Sequence, residues 1–188
     1  MAEADHFATI DRVGELFRGV VARGLRPGTV AGATDAEIDD MAAAQESPAV
    51  PVAAREVLRL VGKDKGPFAG GGGYFGVDGL RERAKQKALE FFDEATAPPA
   101  GFRDPEDMLV LLYHGGYLTC VVDGADLTAA DPPVWLLEED GTLRRQWAAV
   151  TDWFAGLCAE VGQLADELAD ARAHDRPDPG WAGYFERR

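Results

Sequence analysis

The chain has 188 residues, of which 46% are hydrophobic and 28% are charged, as is typical of one soluble globular domain. Its 33 acidic and 19 basic side chains give a formal net charge of −14 and an isoelectric point near 4.5. Such a surface repels phosphate backbones, so we expect no nucleic-acid partner. It can attract a basic protein or simply keep the chain soluble.

Membrane insertion and export are not expected. No apolar run approaches the ~20 residues that are needed to span a bilayer. The first residues, MAEADHFATI, lack the basic and apolar regions of a secretory signal. We therefore expect a cytoplasmic protein without membrane contact, in which Cys120 and Cys158 are free, buried thiols.

The first half of the chain predicts helices. Apolar residues at helical spacing indicate an amphipathic helix over 5–23. Thr34 and Glu37 form a T-x-x-E capping box, so a second helix should begin directly after Thr34. Helical spacing also predicts a third helix over 52–62 and a fourth over 77–95.

A glycine-rich stretch, GGGGYFG at 70–76, matches the dinucleotide pattern G-x-G-x-x-G by its letters. That pattern needs a strand directly before its first glycine, whereas here a predicted helix and a charged loop precede it. A phosphate-binding P-loop would continue with Lys and Ser or Thr, but Val77 and Asp78 follow. We therefore interpret the stretch as a flexible connector.

Four β-rich runs follow and predict an antiparallel meander. The runs are 108–114, 117–123, 133–139 and 142–148. Gly115-Gly116 and Asp140-Gly141 separate two pairs of them, and such dipeptides close two-residue hairpins.

The fold class that we predict is α+β, with N-terminal helices, an antiparallel β-meander of about four or more strands and a long C-terminal helix. The whole chain, 1–188, is expected to form a single domain with its core at about 30–161. The N-terminal helix occupies 5–23, and the C-terminal helix and an irregular tail occupy 151–188. Trp181, Tyr184 and Phe185 are candidate anchors for that tail.

No catalytic constellation is predicted. A two-residue turn would pair His114 with Tyr117, which places His114 and Cys120 on opposite faces of the hairpin. Cys120 would then lack a base and serve as a small core residue. The one serine, Ser47, is outside any G-x-S-x-G turn. We expect no catalytic residue, no metal ligand set and no cofactor.

A candidate partner-binding patch arises from the same register. One hairpin face would carry Leu112, His114, Tyr117 and Thr119, and acidic residues would surround it at the strand ends. The candidate partner-binding residues are Leu112, Tyr117, Asp123, Asp126, Glu138, Glu139 and Asp140. An aromatic centre with an acidic rim suits a basic protein partner. The acids are also compatible with solvated turns or a paired-carboxylate site, and the C-terminal helix or tail is an alternative cover for this face.

Several motifs follow one another in chain order: GATDAEID, P-x-x-x-R-E-V-L-R-L-V-G, the glycine-rich joint, DPPVWLLEEDG and TDWFAGLC. This order resembles that of the SUKH superfamily, which includes the yeast Smi/Knr-type cell-wall synthesis regulator and many bacterial toxin-immunity proteins. The resemblance covers roughly Val30 to Val161.

This resemblance implies a SUKH-like domain that binds and neutralises a toxin partner, with a basic toxin domain as the candidate, and that performs no catalysis. Two alternatives remain open. One is an adaptor or scaffold in cell-envelope regulation, and the other is a small-ligand-binding protein that uses a pocket near the glycine-rich joint.

Overall fold

A computed structural model describes residues 2–70, 73–94, 101–115 and 117–187. The helices are α1 (Ala2–Ala22), α2 (Asp35–Ala44), α3 (Val52–Val61), α4 (Glu82–Glu94) and α5 (Val150–Ala173). The strands are β1 (Gly73–Tyr74), β2 (Leu109–His114), β3 (Leu118–Val122), β4 (Val134–Glu138) and β5 (Leu143–Trp147). Short 3-10 helices cover Pro27–Thr29, Gly124–Asp126 and Gly180–Tyr184.

The strands form one antiparallel sheet in the order β1-β2-β3-β4-β5, so the expected α+β fold with a meander and a long C-terminal helix is confirmed. The cross-strand neighbours Leu112, Cys120 and Leu136 point towards α5. The other face includes Tyr113, Thr119 and Leu137, and α4 packs beside it.

Helix α2 begins at the predicted capping box. The Thr34 hydroxyl accepts a hydrogen bond from the Glu37 amide (3.3 Å), and the Glu37 carboxylate accepts one from the Thr34 amide (2.9 Å). Lys63 Nζ lies 2.8 Å from the same carboxylate. The hydrogen bonds from Lys63 and Thr34 lower the pKa of Glu37 to about 2. The prediction of this helix start is confirmed.

The glycine-rich stretch is more than a connector, which corrects the interpretation from sequence. Gly73 and Tyr74 form the edge strand β1. Gly76 has φ 84°, and a Cβ at this position would lie 2.3 Å from the Gly62 carbonyl oxygen, to which the Val77 amide donates. Only glycine tolerates this approach between two backbone segments. Gly71 and Gly72 lie outside the described residues.

Helix α1 packs against α3 and α5 along only part of its apolar stripe. Val13 and Val20 are buried, whereas Phe7, nearer the start of the helix, is exposed. The stripe that the sequence predicts is therefore longer than the packed interface.

The tail does not cover the sheet. Its 3-10 helix is tied to the loop after α1, where the Arg26 amide donates to the Tyr184 carbonyl and the Glu186 amide donates to the Gly24 carbonyl, each over 2.9 Å. Phe185 is buried beside Leu25. The predicted anchoring of the tail through Phe185 is confirmed.

Candidate functional site

Both hairpins that flank the candidate patch turn through three residues. His114 pairs with Leu118, and the Tyr117 amide donates to the His114 carbonyl (2.9 Å). In the second hairpin the Glu138 amide donates to the Thr142 carbonyl (2.9 Å), and Gly141 adopts φ 79°. A type I turn followed by a left-handed glycine adds one residue to a hairpin. The prediction of two-residue turns is wrong.

The two hairpin ends meet. The Glu139 amide donates a hydrogen bond of 3.0 Å to the Tyr117 carbonyl, and the Tyr117 side chain is 63% exposed. We use the name tip surface for Tyr117, Glu138, Glu139 and Asp140. These four of the predicted partner-binding residues lie at one end of the sheet.

The tip surface is negatively charged. Glu138 forms an ion pair with Arg144 (3.2 Å). Asp140 accepts a hydrogen bond from the Thr142 amide (2.9 Å), which lowers the pKa of its carboxyl. Within the described part of the chain, no cation forms an ion pair with Glu139 or Asp140. The tip surface therefore carries three carboxylates against one guanidinium.

The other three predicted partner-binding residues lie elsewhere. Leu112 is 7% exposed because it faces α5, so the prediction that it is on an open face is wrong. Asp123 follows β3 at the opposite end of the sheet and is fully buried, because it accepts hydrogen bonds from the amides of Arg103 and Asp104 (2.9 Å each). Asp126 is ion-paired with Arg103 nearby. The expected acidic rim is therefore divided between two ends of the sheet.

The three-residue turn also changes the setting of Cys120. Because Leu112 pairs with Cys120, His114 and Cys120 share one face, and their predicted separation onto opposite faces is wrong. Thr119 lies on the other face and is fully buried. Burial raises the pKa of the Cys120 thiol to about 12, despite a hydrogen bond from Trp153. The thiol is therefore protonated at neutral pH and a poor nucleophile.

An exposed aromatic pair was not anticipated from the sequence. The ring of Tyr74, in β1, is 56% exposed and lies 5.9 Å from the ring of Tyr113. Arg83 and Lys87 of α4 line a hollow of about 300 Å³ beside these rings. The letters YF within the glycine stretch are the signal that could have indicated an ordered element there.

A groove separates the sheet from α5. It is open to solvent on one side and has a volume of about 400 Å³, and we call it the sheet–helix groove. Its lining is apolar apart from a few polar side chains. Its lining residues include Leu112, Leu136, Trp147, Gly156, Leu157 and Glu160. Ala69 and Gly70 place one wall of the groove next to the glycine-rich stretch.

In the described residues, no three His, Cys, Asp or Glu side chains lie together as a metal site requires. None of the helices in that same part of the chain has both the length and the apolar character that crossing a bilayer demands. Comparison of the chain with family models, with curated proteins and with solved structures finds no match.

Proposed function

We propose that this chain is a non-catalytic protein-binding module that docks its partner on the tip surface. The observation that carries the proposal is that the exposed Tyr117 lies at the same end of the sheet as Glu139 and Asp140, with its backbone hydrogen-bonded to that of Glu139. Aromatic residues that become buried supply most of the affinity at interfaces, while charges at the rim raise the association rate. Such a surface suits a partner with an apolar cleft and basic residues around it.

The partner class that we propose is a basic toxin domain, which makes the chain an immunity-type protein of the SUKH superfamily. Support comes from the order of motifs between Val30 and Val161 and from the net charge of −14, which accelerates encounter with a basic domain. A scaffold in cell-envelope regulation would use the same surface for a different partner.

The test is to express the proteins encoded beside this gene, one at a time, in a bacterium that lacks them all, and to identify a toxin domain as one that stops growth. Co-expression of the chain should restore growth, and the two proteins should purify as one complex. The double variant Tyr117→Ala, Glu139→Lys should fail to protect. Glu106→Lys is the matched control, because Glu106 is exposed and precedes β2 at the opposite end of the sheet.

Two results would count against the proposal. A folded tip variant that protects as well as the original chain would place docking elsewhere on the protein. A purified chain that carries a stoichiometric nucleotide or metal, and that neither binds nor neutralises the toxin domain, would instead favour a small-ligand function.

A further inference from the structure

The sheet–helix groove contains a glycine for which packing gives no reason. Gly156 lies inside α5, where glycine costs about 1 kcal/mol relative to alanine. A Cβ at Gly156 would meet only Trp147 Nε1, at 3.9 Å, which is an ordinary contact. Gly162 in the same helix differs, because a Cβ there would lie 2.0 Å from Arg23 Nη1. The absence of a side chain at Gly156 therefore leaves the groove open, and no close contact among the described residues requires a glycine there.

The groove offers an apolar floor with one acid at its edge. Leu112 and Leu136 from the sheet and Leu157 from α5 form the floor and expose only their outermost atoms, at 6–8% of each residue. Its volume of about 400 Å³ falls in the range of small-molecule sites, which are apolar with a few placed polar groups. The groove is therefore matched to a ligand with an apolar body.

Glu160 determines the charge that such a ligand should carry. No Lys or Arg is among the described residues that line the groove, and Glu160 makes no ion pair within the described part of the chain. Desolvation raises the pKa of the Glu160 carboxyl, and its charge contributes to the raised pKa of Cys120 in the floor. Glu160 is itself exposed, so its carboxylate lies at the open edge of the groove, where no cation stands among the described lining residues.

We propose that the sheet–helix groove binds a small organic amine, with its apolar body against Leu112, Leu136 and Leu157 and its ammonium group at Glu160. An ammonium ion would pair with the one carboxylate among the described lining residues, and a charge-assisted hydrogen bond to a carboxylate is stronger than a neutral one. An anionic ligand would be repelled by Glu160 and by the net charge of the chain. This site is separate from the tip surface and does not depend on the proposed function.

The test uses three probes that share one apolar body and differ in the head group: 4-phenylbutylamine, 4-phenylbutanol and 4-phenylbutyrate. Each is titrated into the ¹⁵N-labelled full chain, and the indole N–H signal of Trp147 and the amide signal of Gly156 are followed by NMR. The amine should shift both signals saturably and bind about tenfold more tightly than the alcohol. The carboxylate should bind more weakly than either.

Two variants test the carboxylate of Glu160 and the open space of the groove separately. Glu160→Gln should remove the preference for the amine while the alcohol still binds. Gly156→Leu should fill the groove and abolish binding of all three probes. Gly19→Leu is the matched control, because it lies in α1 and an added Cβ there meets nothing within 4 Å. Thermal unfolding checks that each variant is folded, and Gly156→Met, with a more flexible side chain of similar volume, replaces Gly156→Leu if that variant unfolds.

Several results would overturn the proposal. Equal affinity for the amine, the alcohol and the carboxylate would remove the role of Glu160. The absence of any shift at Trp147 and Gly156, or unchanged binding in the folded Gly156 variants, would remove the groove as the site. Shifts of the same signals with protein concentration alone would show that a second copy of the chain occupies the groove instead.

Discussion

The backbone amide of Glu139 donates a hydrogen bond to the backbone carbonyl of Tyr117 over 3.0 Å. This bond joins the ends of two separate hairpins, β2-β3 and β4-β5. The backbone segments that carry the exposed ring and the carboxylate are therefore held together, and both side chains should act on the same bound partner.

Binding kinetics should separate the two contributions. Tyr117→Ala should raise the dissociation rate of the partner about tenfold, since a buried aromatic anchor is worth more than about 1 kcal/mol. Glu139→Lys should slow association and weaken its salt dependence, because rim charges act mainly on encounter. Surface plasmon resonance at two salt concentrations measures both, with Glu106→Lys as the control. Unaltered kinetics in both folded variants would contradict docking on the tip surface.

The capping box at the start of α2 should contribute measurably to stability. Thr34→Ala removes the side-chain acceptor for the Glu37 amide and should cost about 1 kcal/mol. Thr128→Ala is a matched control, because Thr128 is exposed in the turn that follows the 3-10 helix Gly124–Asp126. Urea unfolding gives both values. An unchanged midpoint for Thr34→Ala would mean that the cap contributes nothing.

Glu37 should make stability depend on pH. Its pKa is lowered from 4.5 to about 2 by hydrogen bonds from Lys63 and Thr34. Because the pKa of Glu37 is lower in the folded chain than in the unfolded chain, its carboxylate stabilises the fold above pH 4.5. This stabilisation is lost as the pH falls from 4.5 towards 2. The difference in stability between the original chain and Glu37→Gln should therefore shrink over that interval. Urea midpoints measured across it that stay equally far apart would contradict this assignment.

Lys85 should destabilise the fold. It is 5% exposed, and its Nζ has no hydrogen-bond partner among the described residues. Burial lowers its pKa below 10.5, an effect that the charges of Asp107, Glu46 and Asp104 only partly offset. Lys85→Met keeps the volume without the charge, so it should raise the free energy of unfolding by about 1–3 kcal/mol.

The pH dependence gives a second check on Lys85. The pKa of Lys85 is lower in the folded chain than in the unfolded chain, so between the lowered pKa and pH 10.5 the unfolded chain binds more protons than the folded chain. The stability of the original chain therefore rises with pH over that interval. The advantage of Lys85→Met should shrink accordingly. Lys87→Met, at a partly exposed ion pair with Glu90, should change stability by less than about 0.5 kcal/mol. Equal effects at both positions would refute the argument.

Asp123 and Asp126 both form ion pairs with Arg103, yet they should contribute differently to the free energy of unfolding. Asp123→Ala would leave the amides of Arg103 and Asp104 without an acceptor and should cost about 3 kcal/mol. Asp126→Ala breaks a more exposed pair and should cost about 1 kcal/mol or less. Chemical unfolding of both variants decides the question, and similar losses would mean that the amide contacts add little.

The helix-capping motif was predictable from the sequence, whereas the register of the paired strands was not. The Thr34 and Glu37 box depends on residues three apart, so its letters suffice. The hairpin turns depend on the backbone conformation of single glycines, and Gly-Gly or Asp-Gly is compatible with turns of two or three residues. One added residue changed which side chains share a face with Cys120, and it placed Leu112 in the core.

Long-range contacts account for the remaining differences. Asp123 follows a strand and precedes glycine, which is typical of a solvated turn, and its burial depends on the amides of Arg103 and Asp104, far earlier in the chain. Tyr74 belongs to a strand of two residues, too short to produce any alternating pattern. The letters YF at Tyr74 could indicate an ordered element, but neither Tyr74 nor Asp123 has a local pattern from which its position in the sheet could be inferred.

The order of strands in the sheet leaves β1 and β5 as its two edges. An open edge offers unpaired amides and carbonyls to any other extended chain, and this is a common route to aggregation. Among the described residues β1 offers only two, and the exposed part of β5 consists of Arg144, Arg145 and Gln146. Two adjacent guanidinium groups on one edge and a minimal strand on the other oppose the stacking of copies edge to edge, so the protein should remain dispersed at high concentration.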